Sequence, residues 1–307
     1  MKYFAKFYKH SAAAIWVITL VFGVTGPMAA LAAQPTVDLK TATPFAILAG
    51  TPGITNTGPT VITGNVGLSP ASGSGISGLL CTQVTGSIFA VDAAGLPCFV
   101  NNGPLLVTAK NDLSTAYTDA ANRIPVITVP TELGGTTKFG GVYASGATTF
   151  DITAGAGPLV LDGQGDPSTV FIFESAAVSP GLTVGPGSVV TLINGAQACN
   201  VFWRVVSADI GTTAVFKGSI LALSSITVAN GANIEGRLLA SNGQVTLIND
   251  IIKGSVCSAA TTTATTPKFP NTGIAPGGNN TLLGLGVLGG LITATVFLAV
   301  IRRKQSV

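Results

Sequence analysis

The stretch FKGSILALSSITVANGANIEGRLLAS, residues 216–241, carries only three charges, Lys217, Glu235 and Arg237. Ile, Leu and Val alternate in it with small residues and hydroxyls, and glycines punctuate the run. A period of two is the pattern of a strand with one face buried. The same signature extends outward on both sides: TTFDIT (148–153), PLVLDG (158–163), TVFIFES (169–175), VVTLING (189–195), NVFWRVVS (200–207) and QVTLIND (244–250). Gly, Asn, Asp and Pro separate these runs, as turns require. No helical pattern lies between them, so the strands are not linked by crossover helices. A sandwich, a barrel or a β-solenoid remain. The separators read as Gly-containing corners rather than regular two-residue hairpins, which suits a chain that keeps turning the same way. The expected fold is therefore mainly β, a β-solenoid of irregular period.

One segment departs from this pattern. GPLLVTAKNDLSTAYTDAANR (103–123) places Leu106, Ala109, Leu113, Ala116, Tyr117 and Ala120 on one face at spacings of three and four. Pro104 suits a first helical position, and Ile124 before Pro125 marks the stop. The spacing predicts one long α-helix whose apolar stripe packs alongside the coil.

Both ends read as processing or anchoring segments. Residues 1–33 have a basic start (Lys2, Lys6, Lys9), an apolar run from Ala12 to Val24 and small residues at 28–33. That is the layout of a secretory signal peptide cut after Ala33; an uncleaved anchor is the alternative. At the other end, an uncharged stretch from Thr281 to Ile301 is long enough to span a bilayer. Arg302, Arg303 and Lys304 follow it and would stay on the cytoplasmic side. The expected organisation is a signal peptide (1–33), a single body (34–257), a Thr-rich stalk with a short motif (258–272), and a spacer, membrane segment and basic tail (273–307).

Without the ends, residues 34–272 hold nine basic and twelve acidic residues, net −3. There is no basic patch, which argues against nucleic acid. The only histidine, His10, lies in the first segment, so Ser–His and Cys–His catalysis are excluded. No cofactor, metal or catalytic role is expected. Cys81, Cys98, Cys199 and Cys257 point to disulfides in an exported chain. Of the three pairings, Cys81–Cys98 and Cys199–Cys257 are favoured because each clips one local region. A zinc site is disfavoured by the lack of C-x-x-C spacing.

Five stretches in this order resemble the ice-binding protein family: TPFAILAGTPGITNTGPTVITGNVGLSP (43–70), AKNDLSTAYTDAANR (109–123), LDGQGDPSTVFIFES (161–175), INGAQACNVFWRV (193–205) and FKGSILALSSITV (216–228). The resemblance implies a discontinuous, roughly triangular β-solenoid with a helix alongside. It also implies a capping insertion over residues 71–101, holding the Cys81–Cys98 clip. The implied partner is ice, bound through a flat, rigid, uncharged face. Some members carry a Thr-Ala/Gly-x-Thr/Asn motif there. TGPT (57–60) matches it fully; SGAT (145–148), NGAN (230–233) and IGTT (210–213) match in part. The expected face is then Thr57, Gly58, Thr60, Ser145, Gly146, Thr148, Gly211, Thr213, Asn230, Gly231 and Asn233. Against it, Gly-x-Thr and Gly-x-Asn are also ordinary corner residues.

KFPNTG (268–273), the spacer, the apolar stretch and the basic tail resemble a Gram-positive sorting signal of the sortase LPxTG type. Pro270, Asn271, Thr272 and Gly273 match, and Phe269 replaces the usual Leu. The resemblance implies cleavage after Thr272, attachment to peptidoglycan, and a membrane-held precursor; a plain C-terminal membrane anchor is the alternative. A wall-anchored adhesin that binds a protein or polysaccharide would share these features, and fold alone does not separate it from an ice binder.

Weaker candidates have structural readings. Asp162 and Asp166 lie in LDGQGDPS, a turn by composition. Glu174 and Arg204 read as solvent-facing strand positions, and Phe202 and Trp203 as core.

Overall fold

The computed structural model describes residues 34–175 and 180–258. By its internal contacts the chain divides into two units, Met1–Ala260 and Thr261–Val307, and all described residues belong to the first. The expected signal peptide, sorting motif and membrane segment lie outside the described residues. Among the described residues, no helix is long and apolar enough to cross a membrane.

Each alternating run forms a short strand, and successive strands join three different parallel sheets in turn. Phe171–Ser175 lies in the first sheet, Leu182–Val184 in the second, Val190–Ile193 in the third, and Val201–Val205 returns to the first, one coil on. In two places the chain passes from the third sheet to the first without a loop. The long strands Val215–Ala222 and Asn233–Ala240 bend there at Gly218 and Gly236. Gly218 has φ +111°, and a Cβ on Gly236 would lie 1.8 Å from the Gly218 carbonyl oxygen, so only glycine fits this stacked bend.

The coil is discontinuous in sequence. Phe45–Ala49 pairs with Asn233–Ala240 through Ile47 with Leu238 and Leu48 with Leu239. The N-terminal segment therefore occupies the place the chain would have taken after Ile251–Lys253. From there the coil continues through Asn65–Leu68, Ile88–Ala90 and Phe99–Asn101. Residues 71–101 stack as the outermost turns at this end, closed by the Cys81–Cys98 disulfide.

The interior is a file of apolar side chains from all three sheets. On the first sheet Tyr143, Phe173 and Trp203 stack in register, with ring centroids 5.2 and 4.1 Å apart. Trp203 donates its indole N–H to the Lys217 carbonyl at 3.1 Å. Phe202 and Trp203 are thus core residues, as their composition suggested.

The outer side of the first sheet is apolar too, and the helix Gly103–Ala121 covers it. Leu106, Ala109, Leu113, Ala116 and Ala120 pack on Leu48, Ile172, Phe202, Leu221 and Leu239. Burying each leucine contributes about 2 kcal/mol. Asn102 caps the helix, accepting from the Leu105 N–H at 3.1 Å. The helix spans about 28 Å and returns the chain from the strand Phe99–Asn101 to Val126–Val129, at opposite ends of the first sheet. Arg123 then donates to the carbonyls of Pro35 and Thr36, tying the N-terminal segment to the helix end. Both apolar clusters lie within residues 37–252, so this body carries its own core.

Candidate functional site

Of the three outer faces, the first is covered by the helix. The third is mixed: Lys217 and Glu235 pair at 2.8 Å, Lys253 lies opposite Glu235, and Val61 and Ile251 are about half exposed. The second face has neither cover nor basic residues. Its strands are Phe150–Ile152, Leu182–Val184, Ala208–Ile210, Ile226–Val228, Val245–Ile248, Ile54–Thr57 and Ile76–Ser77. Burial alternates along each of them, an inward apolar residue preceding each outward polar one except in Ile54–Thr57, where the second inward residue is the hydrogen-bonded Asn56.

That outward polar residue forms a continuous ladder. Asp151 pairs with Thr183, Thr183 with Asp209, Asp209 with Thr227, Thr227 with Thr246, Thr246 with Thr55, and Thr55 with Ser77. Every rung is one-to-one and parallel, with about 4.8 Å between rungs. Thr57 stands beside Ile248 in the neighbouring column, about 7 Å away along the strand. Thr55, Thr57, Ser77, Asp209 and Thr227 are exposed, and Asp151, Thr183 and Thr246 are half-buried.

The residues expected from sequence are distributed differently. Thr57 lies on the second face. Gly58, Gly211, Thr213, Asn230 and Gly231 form the corner between the second and third faces, where Gly58, Thr213 and Gly231 have φ of +82°, +56° and +78°. Thr213 donates its N–H to the Asn230 carbonyl and Gly231 to that of Ile248, so the corners also stack as a ladder. Asn233 begins the third face. Ser145, Gly146 and Thr148 occupy a different corner, between the first and second faces, where Thr148 has φ +66° and its carbonyl accepts from the Ser175 hydroxyl. Thr60 is a correction: it is fully buried, donates to Asn56 Oδ1 at 2.5 Å and accepts from the Asp250 N–H at 3.1 Å. Its hydroxyl braces the corner from inside and does not face solvent. The Gly-x-Thr repeats are therefore mainly corner chemistry.

These buried corner groups stiffen the edge of the second face. Asn56 donates to the carbonyls of Gly58 and Gly78. Asp250 accepts the N–H of Ala232 at 2.9 Å and of Ile248 at 2.7 Å. Burial pushes the Asp250 carboxyl up to about 6, against the lowering effect of those N–H groups.

Asp162 and Asp166 close local turns, accepting from Gln164 N and Ser168 N at 2.8 Å. Glu174 and Arg204 are opposite one another at the helix edge, where the guanidinium lies 4.4 Å from the Tyr117 ring centroid. Burial raises the Glu174 carboxyl, and Arg204 partly opposes this. The disulfides pair Cys81 with Cys98 and Cys199 with Cys257.

Sequence reasoning missed Thr55, Ser77, Thr183, Thr227 and Thr246. The available signal was the hydroxyl between apolar residues in LTV, ITV and VTL, and the alternating hydroxyls of ITNT, at the outward positions of period-two runs.

A family model described as ice-binding-like matches residues 47–253. An ice-binding protein of Colwellia sp is 37% identical over 244 residues, covering 76% of this chain and 90% of that protein. The crystal structure of an ice binding protein from an Antarctic biological consortium superposes with a TM-score of 0.63 at 36% identity, covering 73% of this chain and 93% of that one. The corresponding domain of ice-binding protein 1 from Shewanella frigidimarina gives a TM-score of 0.64 at 32% identity, covering 73% and 99%. With the match spanning most of the coil, this chain belongs to the ice-binding-like family.

Proposed function

We propose that the chain is an irregular triangular β-solenoid that binds ice through its second face, by surface recognition and not catalysis. The observation that carries this is the ladder of Thr227, Thr246, Thr55 and Ser77, one hydroxyl per coil in unbroken register. A hydroxyl both donates and accepts, as a lattice water does. Repetition at fixed spacing on a paired backbone lets many weak contacts act together with little ordering cost. The first face is covered and the third carries the Lys217–Glu235 pair, so neither offers such a surface. The relatives named above as ice-binding proteins support the same reading. The test is uptake of the 34–258 fragment into slowly grown ice, together with thermal hysteresis. Exclusion from ice with no hysteresis would leave the adhesin reading in its place.

Attachment to the cell is part of the proposal: export by residues 1–33, membrane retention through 281–301, and joining of Thr272 to peptidoglycan by a sortase. The tail geometry supports it. Ser255 bonds Arg237, Cys257 joins Cys199, and the Ser258 N–H reaches Gln197 Oε1 at 2.7 Å. The described chain thus ends at the corner between the third and first faces, the one corner that does not border the second face. A tether leaving there keeps the proposed binding face unobstructed. Mass spectrometry of wall fragments should find a chain beginning near Gln34 and ending at Thr272; an intact chain ending in Val307 removes the sortase step.

A further inference from the structure

The second face is not chemically uniform along the coil. From Thr227 onward its central column is Thr227, Thr246, Thr55 and Ser77, all uncharged hydroxyls. In the other direction it reads Asp209, Thr183, Asp151 and then Glu132, which bridges to Asp151. Three carboxylates thus occupy one half of the column with no Lys or Arg among these rungs. Thr183 and Thr153 are already engaged: the Thr183 hydroxyl bonds Asp151, and Thr153 donates to Glu132 Oε2 at 2.7 Å.

We infer that the ice-contacting area is confined to the uncharged half, and that Asp209 sets its boundary. This rests on the second face being the ice-binding surface. An ionised carboxylate accepts hydrogen bonds and donates none, so it turns the hydrogens of every neighbouring water toward itself. An ice surface needs each site to meet both donors and acceptors. A carboxylate's own hydration water is also costly to remove. Asp209 is exposed and one rung, about 4.8 Å, from Thr227. Its first hydration shell therefore overlaps the water above the last threonine of the uncharged run. The usable column is four rungs, about 14 Å from first to last along the coil axis. Replacing Asp209 by threonine extends it to five rungs, about 19 Å from first to last, because Thr183 stays engaged by Asp151.

The experiment compares three variants of the 34–258 fragment at equal concentration: Asp209→Thr, Thr246→Tyr and Thr183→Tyr. Thermal hysteresis and ice uptake are measured, with the unfolding midpoint as a fold control. The expected result is a gain in hysteresis of about a quarter for Asp209→Thr, in proportion to the number of rungs. Thr246→Tyr should lose most of the activity and Thr183→Tyr should keep nearly all of it. Equal loss in Thr183→Tyr and Thr246→Tyr, or no gain in Asp209→Thr, overturns the boundary while the face assignment stands. Full activity in Thr246→Tyr overturns the face assignment itself.

Discussion

Arg237 holds the seam where the two ends of the coil meet, and replacing it tests that seam. It is 5% exposed and faces no carboxylate within ion-pair distance among the described residues. Instead its Nε donates to the Thr43 carbonyl at 2.8 Å, Nη1 to Ser255 Oγ at 3.1 Å and to Ser219 Oγ at 3.4 Å, and Nη2 to the Ser255 carbonyl at 2.7 Å. One side chain thus joins the entering N-terminal segment, a central strand and the exiting tail. Two effects oppose each other. Each hydrogen bond from a charged donor contributes about 1.5–3 kcal/mol, and the three shorter ones together give about 6 kcal/mol. Burying the guanidinium costs several kcal/mol, which Arg237→Met would recover; the same burial lowers the group's affinity for its proton. Methionine also leaves the Ser255 carbonyl buried without its donor, a cost of about 1–3 kcal/mol. The net expectation is a loss of about 3 kcal/mol, or a drop of roughly 6–12 °C in midpoint for a body of this size. Urea unfolding followed by Trp203 fluorescence measures it. Arg237→Met as stable as the parent would show that hydrogen bonding at the seam only offsets the buried charge.

Two further outcomes follow from buried groups and from the tail. Asp250 titrates near 6, above its ordinary 3.8, so the folded state holds its proton more tightly than the unfolded chain; its contribution is complete below about pH 4 and is lost as pH rises through 6. Lys110, whose Nζ donates to the Ala240 carbonyl at 2.7 Å, is lowered by burial from 10.5 to about 7, so its contribution is complete above 10.5 and is lost as pH falls through 7. Stability should therefore pass through a minimum near pH 6–7, and Lys110→Met should flatten the alkaline side; a maximum there in urea titrations would contradict both assignments. Replacing Cys199 and Cys257 by serine frees the tail and opens a loop with a sequence separation of 58, for a loss of about 4 kcal/mol by loop entropy. An unchanged urea midpoint would mean that the tail is held by Ser255 and Ser258 alone.

The chemistry of the elements was legible in the sequence because it is local. Alternation of period two marked the strands, and spacing of three and four marked the helix face, of which Leu106, Ala109, Leu113, Ala116 and Ala120 are buried. Tyr117 stays half-buried and donates its hydroxyl to the Val205 carbonyl at 3.2 Å. The favoured cysteine pairs also match the disulfides, Cys81 with Cys98 and Cys199 with Cys257.

The candidate site was not legible, and for a physical reason. Contiguous tetrapeptides such as TGPT and NGAN stand out in a sequence, yet contiguity at glycine belongs to corners, where positive φ is needed. A flat face is made of single residues, one per coil, separated by whole turns of chain. Thr55 and Thr246 come from opposite ends of the described body and become neighbours only because Phe45–Ala49 pairs beside Asn233–Ala240. Period two assigns each hydroxyl to the outside of its strand. It carries no information about which strands are adjacent, so the ladder, its register and its division at Asp209 were decided by the tertiary fold alone.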